Sequence, residues 1–339
     1  MLTKRNYTFD ILRVLAMLMI IIHHVTINDF GLQKYLVTNE IILSNKQTLI
    51  LIIINSLVVI GVNIFFLLSG YFKINLTKKK ILNIIICIYL IFGIVTVIGL
   101  SLGFVQFNKE TIINLINPFG LYWFLLAYLI ITILSPIFNL LIKNITKKQA
   151  IYFLIIVVLF FSIYSNYRDD VLHINRGYSL IWGSILYLLG GFINKFKIKN
   201  KYAIYVYFLL AIINSIIIYI LFKLHRFDLA WQQYSYNNIL VFFESISLFI
   251  WFNSINKKIN KTKIITFFAS STLVTYLLHS TCWLTILRNY PIKVLVINNH
   301  FKLGIILLPL YAIFIYFICS IISLLYDKTV KLLINKAIK

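Results

Sequence analysis

Apolar runs long enough to cross a bilayer recur along the whole chain, and they constrain its fold more than any other feature. A membrane-spanning helix needs about 20 mainly apolar residues. Ten segments qualify, at about 9–28, 47–72, 81–105, 119–143, 149–166, 178–194, 202–223, 236–252, 264–287 and 303–326. In hydrocarbon the backbone must satisfy its own hydrogen bonds, so such runs become helices. The expectation is an all-α, polytopic membrane helix bundle of about ten transmembrane helices. With 61% hydrophobic and 12% charged residues, no stretch is long and polar enough for a soluble domain, so residues 1–339 read as a single membrane domain.

A net charge of +23 raises the question of nucleic acid. The basic residues, however, form short clusters between the apolar runs, and no nucleic-acid-binding module is visible. Clusters of this kind set topology. With the N-terminus inside, the inner loops hold Lys4 and Arg5, Lys73 with Lys78–Lys80, Lys143 with Lys147 and Lys148, Lys195–Lys201, Lys257–Lys263, and the lysines from Lys328 onward. That is roughly twice the basic content of the outer loops. Six acids, Asp29, Glu40, Glu110, Asp169, Asp170 and Asp228, fall outside. Both termini are therefore expected in the cytoplasm. The first run, preceded by Lys4 and Arg5 with no small-residue cleavage site, reads as an uncleaved anchor. The cysteines, Cys87, Cys282 and Cys319, all lie in apolar runs and give neither a disulfide framework nor metal spacing.

Function is sought among ionisable groups that sit where charge is costly. The first run, "DILRVLAMLMIIIHHV", carries Arg13, His23 and His24. Arg13 and His24 are close to three helical turns apart, so they share a face and are separated by about 16 Å along the axis. His23 lies about 80° around the helix from that face. Asp10 is placed to pair with Arg13 at i,i+3. The competing reading is a snorkelling arginine and an interfacial histidine pair.

Further candidates follow by depth. "FFLLSGYFK" brings Ser69, Tyr71 and Lys73 to the level of Arg13, and Lys78 to Lys80 follow; phosphate binding competes there with simple topological anchoring. On the outer side stand Tyr122, Trp123, Arg176 and Tyr178, as an aromatic belt or a platform for a sugar face. Glu244 is an acid well inside a span, and His279 of "TYLLHS" is in an outer half. For His279, an interhelical hydrogen bond and a catalytic role are equally open. No His-Glu-x-x-His, P-loop or Gly-x-Gly-x-x-Gly element is present. No metal site and no bound cofactor are expected.

These elements, in this order, resemble acyltransferase family 3, and in particular the capsule and exopolysaccharide O-acetyltransferases of low-GC Gram-positive bacteria. The matching stretches are "RVLAMLMIIIHH", "FFLLSGYF", "YWFLLAYLIITILSPIFN", "GYSLIWGSILYLLGGFI" and "LVTYLLHS". Each is weak alone; the ordered set covers nearly the whole chain. The resemblance implies transfer of an acyl group, by default acetyl, from cytosolic acyl-CoA to a sugar hydroxyl of a surface polysaccharide or lipid-linked precursor. It places the protein in a bacterial plasma membrane, with polysaccharide-assembly proteins as possible partners, and makes Arg13 and His24 essential.

Two departures matter. Lys78 and Lys80 stand where many relatives have arginine, which keeps charge but loses bidentate phosphate binding. The extracytoplasmic hydrolase-like domain of some relatives is absent from this sequence, so the membrane domain is expected to act alone or with a partner. On this reading Arg13, Ser69, Tyr71, Lys73, Lys78 and Lys80 hold the acyl-CoA, and His24 is a general base or an acyl-carrying nucleophile. His23 or His279 orients His24 or binds the acceptor. Tyr122, Trp123, Arg176 and Tyr178 grip the acceptor, while Asp10 and Glu244 orient. Two other classes fit the same spans. A transporter or flippase of polysaccharide intermediates predicts no acetyl-CoA consumption, and a membrane scaffold tolerates loss of His24.

Overall fold

The computed structural model of the chain describes residues 7–38, 43–165, 172–255, 262–281 and 300–330, with a few isolated positions between 284 and 295. The charges expected at Lys4, Arg5, Glu40, Asp169, Asp170, Lys257, Lys258, Lys261, Lys331, Lys336 and Lys339, and Cys282, lie outside the described residues. All described secondary structure is helical. The helices are α1 (Tyr7–His24), α2 (Leu32–Thr38), α3 (Asn45–Val58), α4 (Gly61–Tyr71), α5 (Lys78–Ser101), α6 (Lys109–Ile116), α7 (Trp123–Asn144) and α8 (Lys147–Ile156). They continue with α9 (Leu180–Lys195), α10 (Ala203–Lys223), α11 (Phe227–Gln232), α12 (Ile239–Ser254), α13 (Lys263–Ser270), α14 (Thr272–His279) and α15 (Phe301–Lys328).

Among the described residues, seven helical stretches are long and apolar enough to cross a membrane: Tyr7–Asp29, Asn45–Tyr71, Lys78–Ser101, Trp123–Asn144, Lys147–Tyr164, Ala203–Lys223 and Phe301–Lys328. The chain is thus a helical membrane protein. Helices α9 and α12 are apolar but shorter. The run expected at 264–287 differs most, because it breaks at Ser271 into α13 and α14. The cause is local chemistry. Serine hydroxyls compete for backbone groups, and Ser271 Oγ donates to the Phe268 carbonyl at 2.9 Å. Tyr316 of α15 donates to the same carbonyl at 2.7 Å, so the break is satisfied by protein. Three short helices, α2, α6 and α11, fill connections that the sequence reading leaves as loops.

Helix α4 and α9 are in close contact through two glycines. A Cβ on Gly70 would run into the Tyr187 backbone, and one on Gly190 into that of Leu67. Small residues let membrane helices approach this closely. Polar ties then fix register across the bundle. Asn63 Nδ2 donates to the Tyr236 carbonyl at 2.9 Å and to Ser245 Oγ at 3.0 Å, and Trp182 Nε1 donates to Asn63 Oδ1 at 3.2 Å. Helix α1 lies at the centre of the bundle, where Leu12, Ala16, Met17 and Ile21 are fully buried.

Candidate active site

Helix α1 carries the site along its length. At its start, Arg13 Nη1 donates to Asp10 Oδ1 at 2.6 Å; Asp10 is fully buried and the arginine is 32% exposed. The guanidinium also lies over the Phe72 ring, 5.2 Å from its centroid. An arginine held on two sides presents the rest of its fork in a fixed direction.

That direction is a cavity of about 550 Å³. Arg13, Lys73 and Lys80 line its basic end, with Ser69 and Ser270. Met17, Tyr128 and Phe124 line its course, and Tyr276 lines it farther on. Lys73 reaches the cavity from a left-handed backbone position at φ 53°, just past the end of α4. Lys78 and Tyr71 are not in this lining. Tyr71 instead donates its hydroxyl to Asn253 Oδ1 at 2.7 Å and takes the Asn194 amide on its carbonyl at 2.6 Å, so it ties α4 to α12 and α9.

At the far end of α1 the two histidines part. His23 is buried, and its Nδ1 donates to Asn55 Oδ1 of α3 at 2.7 Å. Thr26 Oγ1 donates to that oxygen too, at 3.1 Å, and to the His23 carbonyl at 2.8 Å. His23 thereby ties α1 to α3. His24 turns instead to α14, with its Nδ1 3.0 Å from His279 Nε2 and the two rings stacked at 5.0 Å and 17°. His279 Nδ1 lies 2.8 Å from the Thr275 carbonyl, which only accepts, so this nitrogen carries a hydrogen. In neutral His279 the Nε2 then accepts from His24 Nδ1–H, and neutral His24 carries its lone pair on Nε2. A π-helical turn, Val25–Asp29, begins directly after His24, closed by Phe30 N–H to the Val25 carbonyl at 3.0 Å. Such turns cluster at functional sites because they re-aim the neighbouring side chains.

Cavity and histidine pair meet through Tyr276, whose ring stands edge-on to His279 at 5.7 Å. Of the expected acceptor residues, Trp123 and Tyr178 are brought together at 5.1 Å, and Tyr236 joins both, at 6.0 and 4.8 Å. Arg176 is exposed beside them, and its carbonyl accepts from Tyr236 N–H at 3.0 Å. Tyr122 does not join that cluster. It is buried, and its hydroxyl lies 2.9 Å from Thr281 Oγ1, bracing the end of α14. Glu244 is fully buried on α12, outside the cavity, and neither carboxylate oxygen has a hydrogen-bond partner among the described residues. Among the described residues, no group of three or more His, Cys, Asp or Glu could hold a metal ion.

Sequence reading missed Asn55, Asn63, Tyr236 and Ser270. For Asn55 the signal was present, since an asparagine in "LIIINSLVV" has to find a partner inside the membrane. Tyr236 gave none, because aromatics at a span end are commonplace.

The profile of the acyltransferase domain family matches residues 6–326, which take in α1, the basic end and the α13–α14 break. The chain belongs to this family. No curated protein and no solved structure matches the chain. The family membership makes the protein a membrane acyltransferase, and the arrangement along α1 is read in that light.

Proposed function

We propose that this acyltransferase moves an acetyl group from cytosolic acetyl-CoA to a hydroxyl of a cell-surface polysaccharide or its lipid-linked precursor, in a bacterial plasma membrane. The proposal takes the chain as one domain of ten spans with both termini inside, counting α9, α12 and the broken α13–α14 run with the seven long stretches. The lysine-rich end of the cavity then opens to the cytoplasm and the histidine pair lies toward the outside. The observation that carries the reading is the continuous line from Arg13, Lys73 and Lys80 through the cavity to Tyr276, which packs on the histidine pair.

In this mechanism the lysines and Arg13 hold the CoA phosphates, and the narrow pantetheine arm runs along α1 with the thioester toward His24. His24 Nε2 removes the proton from the acceptor hydroxyl. The alkoxide oxygen attacks the thioester carbonyl, the C–S bond breaks, and the thiolate leaving group takes the proton from His24. His279, held by the Thr275 carbonyl, keeps His24 in the tautomer this requires. The acceptor sugar stacks on Trp123 and Tyr178, which the buried Tyr236 backs, with Arg176 at the rim.

The test is acetylation of surface glycan, read by NMR, in cells carrying His24→Ala at normal protein level. Loss of the acetyl signal is expected. Acetylation at the wild-type level removes His24 from the chemistry. Consumption of acetyl-CoA by the purified protein separates transfer from flipping.

A further inference from the structure

A second cavity, of about 400 Å³, runs beside the first between α5, the α13–α14 break and α15. The two share Lys80, Ile84, Ser270 and Leu273 in their linings, so they are two arms that meet at Lys80. The second arm has a polar mouth, formed by Thr77, Lys79 and Lys80 at the start of α5, and an apolar interior with Ile84, Cys87 and Val274. Between them stands Asn83. Its side-chain Oδ1 is buried without a hydrogen-bond partner among the described residues, although a buried amide oxygen ordinarily has one. Tyr326 closes that wall, donating its hydroxyl to the Asn83 carbonyl at 3.4 Å. Asp327 is the carboxylate of the lining.

We infer that this second arm takes the adenosine 3′-phosphate end of the acyl-CoA, an assignment that rests on acyl-CoA being the donor. The donor has two arms of unlike chemistry joined at a diphosphate. Its narrow acyl-pantetheine arm suits the cavity along α1, and its flat purine suits a slot with one unpaired acceptor. The diphosphate falls at Lys80, where the arms meet and where Arg13 also faces the first cavity. The 3′-phosphate falls to Lys79 at the start of α5, a helix N-terminus that favours anions. The exocyclic amine of adenine donates to Asn83 Oδ1, and the purine face lies on Ile84 and Val274. A groove for a plain phosphate would need neither the apolar interior nor a buried acceptor.

The experiment uses the full-length protein in lipid nanodiscs and measures binding of two donors, acetyl-CoA and S-acetyl-4′-phosphopantetheine, which lacks the adenosine 3′-phosphate. Asn83→Leu removes the acceptor, and Lys79→Ala removes an exposed charge with little risk to the fold. Each variant is expected to weaken acetyl-CoA about tenfold, the loss of one well-placed polar contact, and to leave the truncated donor unchanged. Adenosine 3′,5′-bisphosphate is expected to displace acetyl-CoA from the wild type. Equal loss for both donors, no loss for either, or displacement by anionic lipid but not by the bisphosphate overturns the assignment while leaving acetyl-CoA as the donor. Failure of the wild type to bind acetyl-CoA sinks the donor reading itself, and this assignment with it.

Discussion

The two ends of α1 solve the problem of charge in a membrane in opposite ways. At the Arg13 end, a cation is paired with a buried carboxylate one turn away and lies over an aromatic face, and it lines a cavity with two more cations. At the His24 end, hydrogen bonds run through His279 to the Thr275 carbonyl and, in the neutral rings, fix where the proton sits. The first arrangement binds through field strength and tolerates imprecision. The second acts through direction, and a small displacement undoes it. A helix about 16 Å long between them keeps the two regimes apart.

Substitutions at the two ends should therefore fail differently. The largest effect is expected at the directional end. His24→Ala, and equally His24→Phe, should lower the transfer rate by about 10²–10⁴-fold with donor binding intact, as for loss of a general base. A rate loss matched by a loss of acetyl-CoA affinity would put His24 on the donor side. Arg13→Ala should come next. Removing the cation from beside the buried Asp10 carboxylate should lower the melting temperature and weaken acetyl-CoA binding. The double change Arg13→Ala with Asp10→Asn should recover stability but not affinity. Recovery of both would mean that Arg13 serves only the fold.

His279→Ala should cost less than His24→Ala, about tenfold in rate, because the catalytic ring remains and only its orientation is released. The pH profile sharpens the distinction. A base acts unprotonated, so the wild-type rate falls as pH drops, and the position of that fall should move in His279→Ala; an unmoved profile would reduce His279 to packing. The smallest effect on transfer is expected at His23→Phe. It leaves the Asn55 oxygen with one donor fewer, a cost of about 1–3 kcal/mol in stability, while the rate stays near wild type. A rate loss as large as that of His24→Ala would restore His23 to the chemistry.

The same contrast explains what could be read in the sequence. The Arg13–His24 spacing was legible because an unbroken helix turns spacing into geometry. The preference for His24 over His23 rests on that face; the structure adds that His23 is held by Asn55 and His24 by His279. The partner His279 was named, but its role stayed open because its helix is broken. No period carries register across Ser271, where Tyr316 and Ser320 of a distant helix complete the backbone. Tyr71 and Tyr122 were placed by depth, and depth does not fix azimuth; both hydroxyls turned out to join helices. Gly70 of "LLSGYF" and Gly190 of "LLGGFI" mark contact between α4 and α9, and Gly191 contact with Ile142 of α7, which only the packed helices bring into view.

The turn that follows His24 has a consequence for how such a protein can diverge. A π turn is an α-helix carrying one surplus residue. Deleting one residue within Val25–Asp29 would take up that surplus and return the turn to regular α-helix, leaving Arg13 and His24 in register with each other. The length of the chain past His24 can therefore vary by a residue while the Arg13–His24 spacing on α1 stays fixed.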